Sequence, residues 1–194
     1  MKAMSLEELT KEQLEELVRI YARNLLALDG VWFQSVERGR GMDEAMAHDC
    51  AVWRRFTETR RIKTFLGLPE RPGLDGLEQA LAFRFAALAN RRTECRRAGD
   101  ALEFRVVDCR VQSARTRRGL PLHPCKPVGE NEYAYFARVI DDRIGCEAVS
   151  CFPDMTEPDC GVKPFVGNGI SPERYERYCK FAEELKEKRK HRYD

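Results

Sequence analysis

The sequence predicts an α+β fold, an N-terminal helical layer packed on a small, mainly antiparallel sheet and closed by a C-terminal helix. Three observations carry this. Leu14, Leu17, Val18, Tyr21, Leu25 and Leu28 recur at helical spacing, and similar stripes follow as far as about residue 90. RRTECRRAGDALEFRVVDC then alternates apolar and charged residues around AGD, the pattern of a hairpin. Near the end, Ser171 and Pro172 offer an N-cap and a first helical residue to a stripe of Tyr175, Tyr178, Cys179, Ala182 and Leu185. The expected organisation is a helical layer over 1–90, a cysteine-bearing α+β half of the same domain over 91–170, and a helix with a basic tail over 171–194.

Taken in order, Ser5 with Glu8 and Thr10 with Gln13 are capping boxes that open the first helix. Asp29-Gly30 either ends it or kinks it, because Val31, Trp32 and Phe33 continue an apolar face. A second helix starts near Met42 with Met46, Cys50, Trp53 and Phe56 on one side, and stops at Gly67 and Pro69. ERPGLDG is a connecting loop, and a third helix runs from Asp75 through Leu77, Leu81, Phe85 and Leu88. After the hairpin, residues 110–127 are basic and rich in Gly and Pro, which predicts a loop. A helix over about 130–140 turns Tyr133, Phe136 and Ala137 inward, and strands are expected near 143–151 and 160–166. Pro164 marks the last of these as an edge strand or a bulge.

The chain of 194 residues is long enough for one sizeable core. Its formal net charge of +2 gives no long-range attraction to nucleic acid or membrane, and KEKRKHRYD reads as a solvated helix end. No apolar run approaches the roughly 20 residues of a membrane span, and the acidic start lacks a signal peptide's apolar stretch. A cytoplasmic location is therefore expected, with no nucleic-acid or membrane partner; a homodimer stays open. In a reducing compartment the eight cysteines would be thiols or metal ligands.

Cys50 and Cys179 sit in helical apolar patterns and read as packing, while Cys95 has no partner spacing. The other five lie at element ends, several beside proline. Cys146 and Cys151 are five apart and face opposite sides of a regular strand, so Cys151, at the turn, is the better ligand. Strand parity puts Cys109 opposite Leu102, Phe104 and Val106 unless a bulge intervenes. Cys109, Cys125, Cys151 and Cys160 make a quartet suited to tetrahedral zinc, with an iron–sulfur cluster as the alternative, although no C-x-x-C knuckle occurs. His123, two residues before Cys125, either replaces one thiolate or is an exposed loop histidine. Arg115, Arg117, Arg118 and Lys126 could meet a carboxylate or phosphate on a small ligand. Trp32, Phe33 and Trp53 either line a pocket or fill the core.

The run DCRVQSARTRRGLPLHPCKPVGENEYAYFARVIDDRI with the later cysteines, and the earlier LALDGVWFQSVERGRGMDEAMAHDCAVW, resemble an uncharacterised prokaryotic family of small cytosolic proteins. More distantly, Cys125 with Gly129, Glu147 with Cys151, and Cys160 are similar to positions of the vinyl-4-reductase-type ligand-binding domain and of the aminothiazoline-carboxylate hydrolase family. That resemblance implies thiols beside a pocket, able to bind metal. The primary expectation is a metal-binding, zinc-holding protein with an adjacent small-molecule pocket. The alternatives are a hydrolase of a small C–N-bonded amide or cyclic amidine, using Cys125, Cys151 or zinc-bound water, and an iron–sulfur redox sensor.

Overall fold

The computed structural model describes residues 5–56, 58–146 and, for the backbone alone, 160–166. It is an α+β fold, as expected. Among the described residues the order is α1 (Lys11–Arg40), α2 (Met42–Trp53), α3 (Glu58–Phe65), α4 (Gly73–Ala82), α5 (Phe85–Ala89), β1 (Arg92–Ala98), β2 (Ala101–Asp108), α6 (Arg110–Arg117), α7 (Lys126–Ile140), β3 (Gly145–Cys146) and β4 (Cys160–Val166). The strands form one antiparallel sheet in the order β1-β2-β4-β3. The expected helix from Ser171 lies outside the described residues, as do Glu147, Cys151 and Cys179.

The first helix opens at Thr10, whose hydroxyl accepts from the Gln13 amide while the Gln13 side chain accepts from Thr10 N–H. It runs through Asp29-Gly30 without a break and stops at Gly41, whose φ of 93° suits glycine. Mid-helix glycine costs about 1 kcal/mol relative to alanine. Burial of Phe33 beyond it, at 3% exposure, outweighs that cost. The two following helices are each shorter than the sequence predicts. The second breaks after Trp53 and resumes as α3, and the third breaks at Phe83-Arg84 between α4 and α5.

The second break has a physical cause. Arg84 is only 1% exposed and turns inward, ion-paired to Glu58 at 3.3 Å and to Glu132. Its guanidinium lies 4.6 Å from the Phe136 ring centroid and 4.7 Å from that of Tyr133. Burial works against its charge, but the neighbouring carboxylates prevail and hold its pKa above the ordinary arginine value. Glu58 also accepts from the Phe85 N–H, at 2.6 Å, and so caps the first turn of α5.

Two apolar clusters result. In one, Leu102, Phe104 and Val106 of β2 pack against Tyr133, Phe136, Ala137 and Ile140 of α7 and Leu77, Ala80 and Leu81 of α4. The other joins Ala22, Trp53, Phe85, Ala86, Ala89 and Val128. The hairpin matches its alternation, with Gly99 at φ 63° in the turn. The β2–β4 register shifts between Phe104 and Val106, a bulge in the strand that carries Pro164.

Residues 110–117 are helical where a loop is expected. The segment has almost no apolar stripe, and polar contacts hold it instead. Asn90 accepts from the Arg110 N–H at 2.9 Å, and Arg115 forms a two-pronged pair with Glu37 at 2.7 and 2.8 Å. This helix also resolves the parity of Cys109. The chain leaves β2 at Asp108, Cys109 becomes the α6 N-cap, and its side chain joins the β2–α7 cluster at 8% exposure.

Candidate functional site

Where the two clusters meet they leave a cavity of about 130 Å3. This is close to the ~150 Å3 of an apolar cavity that encloses one benzene ring. Its apolar wall includes Trp53, Phe85, Phe104, Val106 and Val128, and its polar wall includes Asp29, Asp49, Cys109, Gln112, His123 and Cys125.

His123 is the centre of the polar wall. It is 8% exposed, so it is not the exposed loop histidine that the sequence leaves open. Its backbone is locked by Gln112 of α6. The Gln112 amide donates to the His123 carbonyl at 2.8 Å, and the Gln112 oxygen accepts from the His123 N–H at 2.9 Å. The Phe33 ring meets the imidazole edge at 4.6 Å between centroids. Nε2 lies 3.2 Å from Asp49 Oδ2, and the ring also shares a hydrogen bond with Cys125.

Cys125 stands at the N-cap of α7, where its carbonyl accepts from the Gly129 N–H at 2.8 Å. Its sulfur is 3.9 Å from Gln112 Nε2, so a single glutamine touches both the thiol and the backbone of the histidine. The site therefore reads carboxylate, imidazole, thiol: Asp49, His123, Cys125.

Burial works against a charged His123, yet the hydrogen bonds to Asp49 and Cys125, with their charges, raise its pKa to about 9. The ring is thus an imidazolium at neutral pH. Asp29 of α1 also shifts upward, which for a carboxyl favours the neutral form. Burial, and then the charge of Asp49, raise its pKa to about 7. Asp49 itself is 3% exposed, and its Oδ1 accepts no hydrogen bond from any described residue.

The cysteines of the expected metal quartet are placed as follows. Cys109 and Cys125 line the same cavity. The backbone of Cys160 pairs with Val106, whose side chain also lines it, while Cys151 lies outside the described residues. Among the described residues, no three His, Cys, Asp or Glu side chains come close enough together to hold a metal ion. Cys50 and Cys146 pack against the two clusters.

The expected ligand residues lie elsewhere. Arg115 is 2% exposed and engaged by Glu37. Arg118 donates to Gln34 at 3.0 Å and lines, with Arg23, Arg91, Arg110 and Arg117, a separate groove of about 360 Å3. Lys126 begins α7 half-buried, outside the cavity wall. Trp32 meets the His48 ring edge-on at 5.9 Å, while Trp53 is the tryptophan that lines the cavity.

Asp29, Asp49 and Gln112 are site residues that sequence reasoning passes over. Asp49 carried a usable signal, since it lies one helical turn from both Ala45 and Trp53, on the face of α2 that is buried. Asp29 carried a misleading one, because Asp-Gly reads as a helix end.

Fold and site together define a small α+β protein whose two cores enclose a cavity lined by thiol, imidazole and carboxylate. The chain belongs to a family of unknown function, DUF6125, whose model matches residues 7–162 and so spans every residue of this cavity. No curated protein and no solved structure matches it. No helix among the described residues is long and apolar enough to cross a membrane.

Proposed function

We propose that the cavity is the active site of a cysteine-dependent enzyme acting on a small acyl or amidine carbon, with Cys125 as nucleophile. The carrying observation is the Asp49–His123–Cys125 sequence of contacts inside a cavity of substrate size. A thiol becomes a strong nucleophile as thiolate, and an adjacent imidazolium favours that form. Cys125 sulfur attacks the electrophilic carbon, and His123 passes its proton to the departing nitrogen. Water then attacks the thioester or thioimidate, His123 takes up the water proton, and the sulfur leaves. Asp49 keeps the ring oriented and balances its charge.

The test uses p-nitrophenyl acetate, a small activated acyl donor, followed by intact-mass measurement. An acetyl adduct on Cys125, formed faster than on exposed Cys95 and slowed in H123Q, is expected. Equal acetylation of Cys95 and Cys125 would remove the reading.

A second reading, a zinc or iron–sulfur centre beside a ligand pocket, is favoured by one observation. Cys109 and Cys125 line one cavity, and the Cys160 backbone pairs with a residue of its wall. Elemental analysis decides it: structural zinc stays bound through purification, so content below about a tenth of an equivalent rejects zinc. Absence of visible absorption after anaerobic preparation rejects the cluster.

A further inference from the structure

We propose that the cavity selects a small organic cation, an ammonium or amidinium group whose N–H donors are held by Asp29 and by Oδ1 of Asp49. This rests on the cavity of the preceding reading, but binding of the cation does not require Cys125 to react.

Both carboxylates line the cavity, from α1 and α2 respectively. Asp49 is almost wholly buried and uses only Oδ2, toward His123; its Oδ1 accepts nothing from the described residues. A buried carboxylate oxygen without a donor is costly, and native structures place such atoms where something else supplies the hydrogen bond. The charge is also unbalanced. Around Asp29 the groups that act on it are Asp49, His123 and Glu132, so two carboxylates besides its own face one imidazolium. Arg84 does not redress this, because Glu58 and Glu132 already share it. Burial, and after it the charge of Asp49, raise the pKa of Asp29 to about 7, and His123 offsets this only in part. A ligand bringing one positive charge and two N–H groups would satisfy Oδ1, pair with Asp29 and reduce the excess of negative charge. An anion would meet the same carboxylates and be repelled. The aromatic and aliphatic part of the lining, with Trp53 and Phe85, suits the apolar part of such a molecule.

Acetamidinium, acetamide and acetate have nearly the same shape and differ in charge, so they isolate the cause. Each is titrated by calorimetry into the full chain at neutral pH, and again into C125S, where thiol chemistry cannot contribute. Acetamidinium is expected to bind about tenfold or more tightly than acetamide, as a charge-assisted contact does, with acetate not binding. In D29N the preference for acetamidinium over acetamide should fall to about threefold or less. Equal or tighter binding of acetamide or acetate would overturn the proposal. So would no binding of acetamidinium up to about 10 mM, an affinity weaker than most small-ligand sites reach. An undiminished preference in folded D29N would overturn it as well. Reactivity of Cys125 toward p-nitrophenyl acetate is read separately, so either conclusion can fall alone.

Discussion

Replacing Asp49 by asparagine removes the charge that keeps His123 protonated while nearly preserving shape. In the folded protein the His123 pKa is about 9, against 6.5 for an unperturbed imidazole. A raised histidine pKa adds stability that is complete below the unfolded value and is lost as pH climbs through the folded one. Asp29, near 7, would confuse a comparison at lower pH, because Asp49 also acts on it. The clean window therefore lies above Asp29 and across His123. Between about pH 7.5 and pH 10 the wild type sheds roughly 2 kcal/mol of this linkage, from about 1.5 pH units at 1.36 kcal/mol each. D49N should be destabilised more at the lower pH than at the higher, by up to about that amount, measured by urea unfolding at each. In parallel, imidazole NMR should show the His123 titration fall clearly below about 9, because burial is then opposed by Cys125 alone. With three histidines in the chain, H123Q assigns the resonance. A His123 pKa unmoved in D49N, or a destabilisation independent of pH, would refute the proposed coupling.

Arg84→Met should destabilise by about 3–5 kcal/mol in urea unfolding, because it leaves Glu58 and Glu132 buried without their shared cation. Gln112→Leu removes both partners of the His123 backbone at once, and about 2–4 kcal/mol of lost stability with slower Cys125 alkylation is expected. At Gly76 a Cβ would overlap the Pro72 ring, so Gly76→Ala should lower stability by about 1–3 kcal/mol despite alanine's better helix propensity. Thermal unfolding checks this, and a gain in Tm would contradict the packing described.

Elements whose apolar residues repeat at a fixed period were legible in the sequence. Leu102, Phe104 and Val106 announced β2, and Tyr133, Phe136 and Ala137 announced α7. The helix α6 was not, because Gln112 and Arg115 are buried by polar partners distant in sequence, His123 and Glu37. The α4–α5 break was hidden for the same reason: only the folded chain shows that Arg84 must turn toward Glu58 and Glu132. At the site, cysteine spacing and position drew attention to Cys109 and Cys125, and His123 followed from proximity. Asp29 and Asp49 reach that cavity through helix packing, α1 against α2 and α2 against α7, which local periodicity cannot express. Arg115 and Arg118 illustrate the converse. A basic run suggests an anion site, yet one arginine braces α1 through Glu37 and the other lies against Gln34.

The most direct measurement is the pH–rate profile of Cys125 modification by iodoacetamide, followed by peptide mass spectrometry in the wild type and in H123Q. Labelling at Cys125 should outpace labelling at Cys95 near neutral pH and slow by about tenfold or more in H123Q, since the thiolate loses its imidazolium. A Cys125 that labels no faster than Cys95, with a rate indifferent to His123, would mean that thiol and imidazole are neighbours without a shared chemistry.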